Sequence, residues 1–252
     1  MTLLVANGIS KSFGGVRALS NVSFSVAEGE IVGLMGANGA GKTTLFSVIA
    51  GHNRPDTGDV TFDGARIDGL KPDRICRAGI ARTFQIVRPF RGLSALENVA
   101  TAARFGARPA ERVAQANERA LTILEEVGLR DQAEQPAATL TLAAQKKLEV
   151  AKALATSPRL LLLDEVMAGL TPSEVRTMMA MIRDVRDRYG LTILVIEHVM
   201  RALMELSRHI VVLHHGEKIA EGSPTDIAEN VDVQNAYLGS APATNETAVP
   251  PT

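Results

Sequence analysis

The strongest constraint on how this chain folds is a glycine-rich segment near its N-terminus. Residues 36–43 read GANGAGKT and fit the pattern G-x-x-x-x-G-K-[ST] at every fixed position. An apolar run at residues 31–35 predicts a buried strand before the segment, and a second run at residues 45–50, closed by Gly51, predicts a helix after it. In that context the glycines let backbone N–H groups wrap around phosphate oxygens, and the helix N-terminus adds positive potential. We therefore interpret the segment as a loop for a nucleoside triphosphate or a related phosphate ligand, rather than as an ordinary turn.

The middle and later parts of the chain alternate between short apolar strands and amphipathic helices. Residues 160–163 and 191–196 are compact apolar runs typical of parallel strands. Apolar positions at helical spacing predict helices at about residues 111–127, with Val113 on the buried face, and at about residues 143–156. This alternation indicates an α/β domain with a parallel sheet.

The two ends of the chain differ from its middle. Strand-like runs at residues 3–6 and 22–26, with glycine turns nearby, predict an added antiparallel β layer. The helical stretch at about residues 90–155 is expected to form a lobe of a single domain that covers residues 1–239. Residues 240–252 are mostly Ala, Pro, Thr and polar residues, so we expect a disordered tail there.

A second candidate for phosphate chemistry follows the strand predicted at residues 160–163, where Asp164 and Glu165 stand side by side. In a protein with a phosphate loop, such an aspartate holds the shell of a Mg²⁺ ion, while Lys42 reaches the β- and γ-phosphates and the Thr43 hydroxyl ligates the metal. The adjacent glutamate can polarise a water molecule for in-line attack. The alternative is a strand that simply ends in two solvated acids, and the phosphate loop upstream makes that alternative less favoured.

Two single residues are weaker candidates. Gln85 follows a short apolar segment, and a lone glutamine has almost no specificity as a signal. His198 lies just beyond the strand predicted at residues 191–196. A lone histidine is more often structural, but the carboxyl end of a parallel strand is where ligands bind in such sheets.

Composition argues against several classes of function. Lys plus Arg is 27 and Asp plus Glu is 28, a net charge of -1, which argues against a strongly basic nucleic-acid binder. Cys76 is the single cysteine, so an intrachain disulfide and a four-cysteine zinc site are excluded, and a reduced, intracellular setting is expected. The sequence predicts neither a signal peptide nor a transmembrane helix.

Together these elements resemble the nucleotide-binding subunit of an ABC transporter over about residues 3–238. The resemblance implies an α/β phosphate-loop ATPase core with a helical subdomain, which binds ATP and Mg²⁺ and couples ATP hydrolysis to solute import. It implies catalytic roles for Glu165, His198 and Gln85, and Mg²⁺ contacts from Thr43, Gln85 and Asp164. The residues it implies at the nucleotide are Phe13, whose ring would stack on adenine, and Gly36, Asn38, Gly39, Ala40, Gly41, Lys42, Thr43, Thr44, Thr141 and Ala143.

Two segments depart from the pattern of that family. Its signature, Leu-Ser-Gly-Gly-Gln, aligns with residues 140–144, which read LTLAA. In the family this segment reaches across a dimer to the γ-phosphate on the other subunit. The resemblance implies that Thr141, which keeps a hydroxyl, and a helix N-terminus near Ala143 make that contact here. The aspartate of the family's D-loop is also absent, since residues 168–171 read AGLT.

Several short segments are similar to the branched-chain amino acid importer branch of the family, among them RTFQ at residues 82–85 and AYLG at residues 236–239. That branch implies transmembrane permease subunits as partners, a second, different ATPase subunit, and indirect contact with a solute-binding protein. The altered signature favours a heterodimer with unequal sites, and a symmetric homodimer is the alternative. It also implies a cytoplasmic location, peripheral on the inner face of the cell membrane. Importers of urea or short amides share much of the pattern, so the solute stays open.

The segment after Gln85 is a candidate surface for the membrane partner. Residues 86–90 read IVRPF, which is apolar and basic. Exposed apolar residues there would mark a docking surface, and packing into the core is the alternative.

Two other classes of function stay open. A soluble ABC ATPase that acts on nucleic acid or ribosomes is disfavoured by the single cassette, the lack of heptads and the net charge of -1. A phosphate-loop kinase for small molecules is disfavoured by the combination of Glu165, His198 and the helical lobe.

Overall fold

The computed structural model describes residues 1–85, 87–110 and 112–238. The predicted tail at residues 240–252 and the single positions Ile86, Glu111 and Gly239 lie outside the described residues. Across those three ranges, every helix is too short or too polar to cross a membrane.

The described residues contain ten strands and nine α-helices. The strands are β1 (Thr2–Phe13), β2 (Val16–Ala27), β3 (Ile31–Met35), β4 (Thr57–Phe62), β5 (Ala65–Arg66), β6 (Ile80–Arg82), β7 (Leu160–Asp164), β8 (Thr192–Ile196), β9 (His209–His214) and β10 (Glu217–Gly222). The helices are α1 (Lys42–Ile49), α2 (Pro72–Ala78), α3 (Ala95–Ala103), α4 (Val113–Glu126), α5 (Leu142–Ala155), α6 (Pro172–Tyr189), α7 (Met200–Leu206), α8 (Pro224–Glu229) and α9 (Val231–Leu238).

The strands form two sheets. One is antiparallel, in the order β2-β1-β4-β5. The other has the order β10-β9-β3-β8-β7-β6, with parallel pairing from β9 to β6 and an antiparallel edge at β10. This confirms the predicted α/β class with an antiparallel layer. Because β3, β7 and β8 are parallel, their carboxyl ends meet at one edge of the sheet.

The central strands are buried on both faces, which explains their unbroken apolar sequences. Alternation along β7 sends Leu161 and Leu163 into a core that they share with the helices of residues 90–155. Leu160 and Leu162 belong instead to the core beneath the antiparallel sheet. The predicted helical lobe, built from α3, α4 and α5, therefore packs on the sheet through a common core, and its bounds stay a prediction.

Two local expectations need correction. Val113 is exposed, so its predicted burial is wrong. It is the first residue of α4 and lies before the turns whose Ala116, Ala120 and Ile123 pack against the core. The second correction concerns α5, which begins at Leu142 behind Thr141 as N-cap, one residue earlier than predicted. The side chain of Thr141 stabilises that earlier start by capping the helix.

Candidate functional site

The glycine-rich loop joins β3 to α1, as predicted. Gly41 is the N-cap of α1 with φ 103, and a Cβ at this position would lie 2.6 Å from the carbonyl oxygen of Ala18. Only glycine fits there without displacing backbone. Among the described residues, α1 has no side-chain cap and no acidic residue in its first turn. Its first N–H groups therefore stay available to an anion, which the helix dipole also favours.

Lys42 opens α1 and turns back onto the loop. Its ammonium donates hydrogen bonds to the carbonyl oxygens of Gly36, at 2.5 Å, and Ala37, at 3.0 Å. The side chain is buried, and this burial lowers its pKa, while the carboxylates of Glu165 and Asp164 act in the opposite direction. The ammonium is thus held inside the loop at the place where phosphate oxygens would be bound.

Asp164, at the end of β7, is anchored to the neighbouring strand. Its Oδ2 accepts a hydrogen bond from Nη2 of Arg82 at 2.8 Å, and Nη1 of the same arginine donates to Oγ of Ser47 in α1 at 3.0 Å. Only 3% of the Asp164 side chain is exposed. Arg82 is part of this site, although the sequence pointed to it only through the short RTFQ segment.

Glu165 is the residue on which the predicted site converges. Its Oε2 accepts a hydrogen bond from Nε2 of Gln85 at 2.6 Å, and its Oε1 lies 2.7 Å from Nε2 of His198. Glu165 has φ 51, an uncommon value for a residue with a side chain. At this backbone turn the carboxylate lies at the sheet edge, where side chains that follow β6, β7 and β8 meet.

A cavity of about 520 Å³ connects these groups to the loop. Its lining includes most of the predicted site residues, namely Asn38, Gly39, Ala40, Gly41, Lys42, Thr43, Thr44, Gln85, Glu165 and His198, together with Val16, Arg17 and Ala18 of β2. The three β2 residues were missed because no local motif marks them. The concave shape and converging polar groups are typical of a ligand site.

Five predicted residues lie outside that lining. Gly36 and Asp164 support the cavity from behind through Lys42 and Arg82. Phe13 lies at the end of β1, where 47% of its surface is exposed and the ammonium of Lys11 is 5.5 Å from its ring. The proposed stacking of Phe13 on adenine stays a prediction.

Thr141 and Ala143, the other two, lie at the N-terminus of α5. The Thr141 hydroxyl accepts a hydrogen bond from the backbone N–H of Ala144 at 3.3 Å and so caps the helix. The side chain of Gln145 donates to the carbonyl oxygen of Leu140 at 3.0 Å. The altered signature is thus an ordered, self-capped helix start, and its contact with a nucleotide across a dimer stays a prediction.

The oxygen donors near the loop fit a Mg²⁺ ion. Thr43 offers a hydroxyl, Gln85 an amide oxygen, and Asp164 a second carboxylate oxygen beside the one paired with Arg82. In the described part of the chain, no cluster of three His, Cys, Asp or Glu residues could hold a metal ion by itself. The donors that are present, a hydroxyl, an amide oxygen and one carboxylate, match the way proteins usually bind Mg²⁺, with one or two carboxylates plus substrate phosphates.

Two buried charged residues behind the site were missed in the sequence. Lys146 of α5 donates to main-chain carbonyl groups of the site, and Glu197 follows β8 directly. Oε1 of Glu197 accepts a hydrogen bond from the backbone N–H of Met167 at 2.8 Å. Burial raises the pKa of Glu197 to about 7. A charged residue directly after an apolar strand was the available signal for Glu197; Lys146 stands in an ordinary helical pattern.

Known protein families and proteins match nearly the whole chain. The family of the ABC transporter matches residues 19–168, and a family described as the branched-chain amino acid ATP-binding cassette transporter matches residues 217–243. The high-affinity branched-chain amino acid transport ATP-binding protein LivG of Salmonella typhimurium is 40% identical over 95% of this chain and 98% of its own. BraF of Pseudomonas aeruginosa, which carries the same description, is also 40% identical over the same shares.

Solved structures agree with that likeness. An ATP-binding cassette of an ABC transporter in its ADP conformation has a TM-score of 0.86 and 30% identity, covering 95% of this chain and 100% of that one. A dimeric ATP-binding cassette bound to ADP and Pi has a TM-score of 0.79 and 26% identity, covering 88% of this chain and 99% of that one. These matches confirm the family that the motifs predicted. The chain belongs to the ABC transporter family of ATP-binding cassette proteins.

Proposed function

We propose that this chain hydrolyses ATP, with Mg²⁺, to power an importer for branched-chain amino acids or a related small polar solute. The observation that carries the ATPase part is the meeting of Lys42, Gln85, Glu165 and His198 around one cavity at an open helix N-terminus. The solute rests on the relatives, whose names describe branched-chain amino acid transport, and on the family match at residues 217–243.

The glycine-rich loop and the start of α1 would bind the triphosphate. Phosphate oxygens accept hydrogen bonds from the free N–H groups at the start of α1, and the ammonium of Lys42 exchanges its carbonyl partners for the β- and γ-phosphates. Thr43, Asp164 and Gln85 would hold Mg²⁺ beside those phosphates. A bound Mg²⁺ supplies positive charge that stabilises the negative charge of the transferred phosphoryl group.

Hydrolysis needs a carboxylate at the attacking water, and Glu165 is positioned for it. Both of its oxygens already have partners, Gln85 on one side and His198 on the other. Each oxygen keeps a second lone pair, so Glu165 can also accept a hydrogen bond from a water molecule. The side chain of His198 is 44% exposed, so it has room to move away from Glu165. Its imidazole can then donate a hydrogen bond to the γ-phosphate.

We further propose that the chain is a peripheral cytoplasmic subunit that docks permease subunits through a groove beside Gln85. A cavity of about 340 Å³ lies between α2 and α5, with Phe84, Arg88 and Cys76 among its lining residues. The guanidinium carbon of Arg88 lies 5.4 Å from the Phe84 ring, and Phe90 nearby is exposed. An apolar floor with cationic groups at its rim suits a short amphipathic segment of a membrane protein that carries an acidic residue.

The docking proposal is tested by cross-linking. Cys76 lines the groove and is first replaced by alanine, and single cysteines are then introduced at Val87 or Phe90. We expect cross-links to a membrane subunit in native membranes, while a matched cysteine at the exposed Arg66, on the antiparallel sheet, gives none. Cross-links from Val87 and Phe90 that stay within the chain would contradict the proposal.

The ATPase partner is proposed to be a different chain, because the altered signature at residues 140–144 pairs best with a second cassette that carries the family pattern. Each nucleotide would then lie between one chain's phosphate loop and the other chain's signature, giving two unequal sites. We expect unequal losses of ATPase activity when Glu165 and its equivalent in the co-purified ATPase are replaced one at a time. Identical losses, or a complex whose only ATPase is this chain, would refute the heterodimer.

The solute is tested in cells that lack the gene for this chain and carry either the parent or Lys42→Ala. Uptake of radiolabelled leucine, isoleucine and valine is expected to return only with the parent. Urea and a short amide serve as competitors, and inhibition of leucine uptake by unlabelled valine but not by urea would favour the amino acids. Co-purification with ribosomes or nucleic acid, and no effect on uptake, would instead indicate a soluble ATPase.

A further inference from the structure

Helix α5 holds the segment after β6 through one row of side chains. Lys146, Glu149 and Lys152 are spaced three residues apart and so share one face of the helix. Glu149 accepts a hydrogen bond from the backbone N–H of Arg88 at 3.1 Å, and Lys152 donates to the carbonyl oxygen of Arg88 at 2.9 Å. These contacts attach the chain just beyond Gln85 to the helix that begins with the altered signature.

Lys146 goes further, because it joins two parts of the candidate site. Its ammonium donates to the carbonyl oxygen of Gln85 at 2.9 Å and to that of Glu165 at 2.9 Å. These two residues follow different strands, β6 and β7, and their side chains meet at 2.6 Å on the cavity side. A single cation thus holds the two backbones from behind, at the residues whose side chains form the site.

Burying the ammonium of Lys146 costs free energy, so the contacts that compensate for this cost are expected to have a role. Only 4% of Lys146 is exposed, and its burial lowers its pKa, while Glu197 and Glu165 are the strongest of the carboxylates that act in the opposite direction. A buried ammonium is tolerated only where hydrogen bonds and opposite charges replace its water. The backbone of Glu165 is itself in an uncommon conformation, with φ 51. A residue keeps such a conformation where contacts from the surrounding structure hold it in place, and this is common at functional sites.

The turn that follows Glu165 is held from several directions. The N–H of Glu165 donates to the carbonyl oxygen of Ile196 at 2.9 Å, and Glu197 accepts from the N–H of Met167 at 2.8 Å. Lys146 is the anchor that also reaches Gln85. It is therefore the group whose loss would change how the Gln85 and Glu165 side chains face each other.

We propose that Lys146 is a positioning residue for ATP hydrolysis, which fixes Gln85 and Glu165 relative to each other by binding both of their carbonyl oxygens. The inference rests on the proposed function, since it assumes that Glu165 acts on the attacking water. Lys146 lies behind the cavity and is absent from its lining, so its loss changes the catalytic step more than the binding of ATP. It also links the start of α5, where the signature lies, to the hydrolytic residue of the same chain.

The test compares three variants of the full-length chain, purified with its native partner subunits. Lys146→Met keeps the length of the side chain but removes its charge and its hydrogen bonds. Lys147→Met is the matched control, because Lys147 makes no hydrogen bond or ion pair among the described residues. Lys146→Arg keeps a cation with several N–H donors. Steady-state kcat, KM and the Kd for ATP are measured for each, with thermal unfolding as a check of folding.

We expect Lys146→Met to lower kcat by about 10- to 100-fold, the scale of a small misplacement of a catalytic group, with the Kd for ATP within about threefold of the parent. Lys147→Met should match the parent, and Lys146→Arg should recover most of the lost kcat. Parental kcat in Lys146→Met would overturn the proposal. Equal losses in kcat and ATP affinity, with a lower melting temperature and no rescue by Lys146→Arg, would also overturn it.

If Lys146→Met does not fold, Lys146→Gln takes its place, since its shorter amide keeps a polar group but cannot reach both carbonyl oxygens. A parental kcat in Lys146→Gln would then overturn the proposal. Glu165→Gln is assayed in parallel so that two failures can be told apart. If Glu165→Gln abolishes hydrolysis and Lys146→Met does not affect it, the inference alone fails. If Glu165→Gln is fully active, the proposed function of the site fails first.

Discussion

Two helix N-termini matter for the chemistry of this chain, and they differ in what they leave free. At α1, glycine is the N-cap, and the described residues supply no side chain that caps the helix. At α5, Thr141 is the N-cap, and its hydroxyl is bonded to the N–H of Ala144. The α1 terminus lies in the cavity with Lys42. Thr141 is exposed, and among the described residues its side chain has no hydrogen-bond partner outside its own helix.

The difference shows that a helix dipole alone does not make an anion site. Both helices have a positive N-terminal end, but only α1 combines it with unbonded N–H groups, a buried cation and a concave surface. At α5 one of the N-terminal N–H groups, that of Ala144, is already bonded to the Thr141 hydroxyl. An oxygen of a nucleotide on a second chain can still accept the Thr141 O–H, because the hydroxyl accepts one hydrogen bond and keeps its own proton to donate.

The largest effect is expected for the carboxylate that shares the cavity with the α1 terminus. Glu165→Gln keeps the size and polarity of the side chain but cannot act as a base. We expect steady-state hydrolysis by the assembled transporter to fall by about 100-fold or more, while ATP binding survives. Phosphate release and ATP titration measure the two effects. A parental rate of hydrolysis would assign the catalytic role to another group.

The next largest effect tests the open terminus itself. Lys42→Ala removes a charged hydrogen bond to the phosphates, worth roughly 1.5–3 kcal/mol, so the Kd for ATP is expected to rise at least tenfold. Lys71→Ala, which changes an exposed lysine at the start of α2, is the control and should bind ATP like the parent. Equal affinities for parent and a folded Lys42→Ala variant would reject the phosphate assignment.

A smaller effect is expected at the capped terminus. Thr141→Ala removes the N-cap hydrogen bond of α5 and should lower the free energy of unfolding by about 1 kcal/mol, whereas Thr141→Ser keeps the cap. Denaturant unfolding measures this difference. If Thr141 also contacts a phosphate on a second chain, the alanine variant loses ATPase activity in the complex and the serine variant does not. Unchanged stability in Thr141→Ala would contradict the capping role.

The smallest expected effect is a pH dependence on the α5 side of the site, where Glu197 lies near Lys146. Burial raises the pKa of Glu197 from its ordinary value of 4.5 to about 7 in the folded state. The folded chain therefore binds more protons than the unfolded chain between these values, and stability falls as pH rises through this window. From about pH 6.5 to 7.5 the decrease should be less than about 1 kcal/mol. Thermal unfolding of Glu197→Gln should show a flatter pH dependence, and an unchanged slope would contradict the assignment.

Prediction from the sequence succeeded where the physical signal is local. The strand, loop and helix around residues 36–43 are contiguous. A Cβ at Gly36 or Gly41 would lie within 2.6 Å of a backbone oxygen, so these two positions require glycine. The order of strands and helices likewise follows from apolar runs and helical spacing. The exposure of Val113 was missed because helical spacing shows on which face of a helix a residue lies. It does not show at which turn that face begins to pack against the core.

The contacts inside the site depend on the tertiary structure, because their members are distant in the chain. Arg82 pairs with Asp164, 82 residues away, because β6 and β7 are neighbours in the sheet. Lys146 reaches Gln85 across 61 residues only because α5 packs against both strands. Residue types could name Glu165 and His198 as candidates, since strand ends in a parallel sheet share one edge. The strand order and register decided which groups touch, because hydrogen bonds require an approach of about 3 Å that no local pattern specifies.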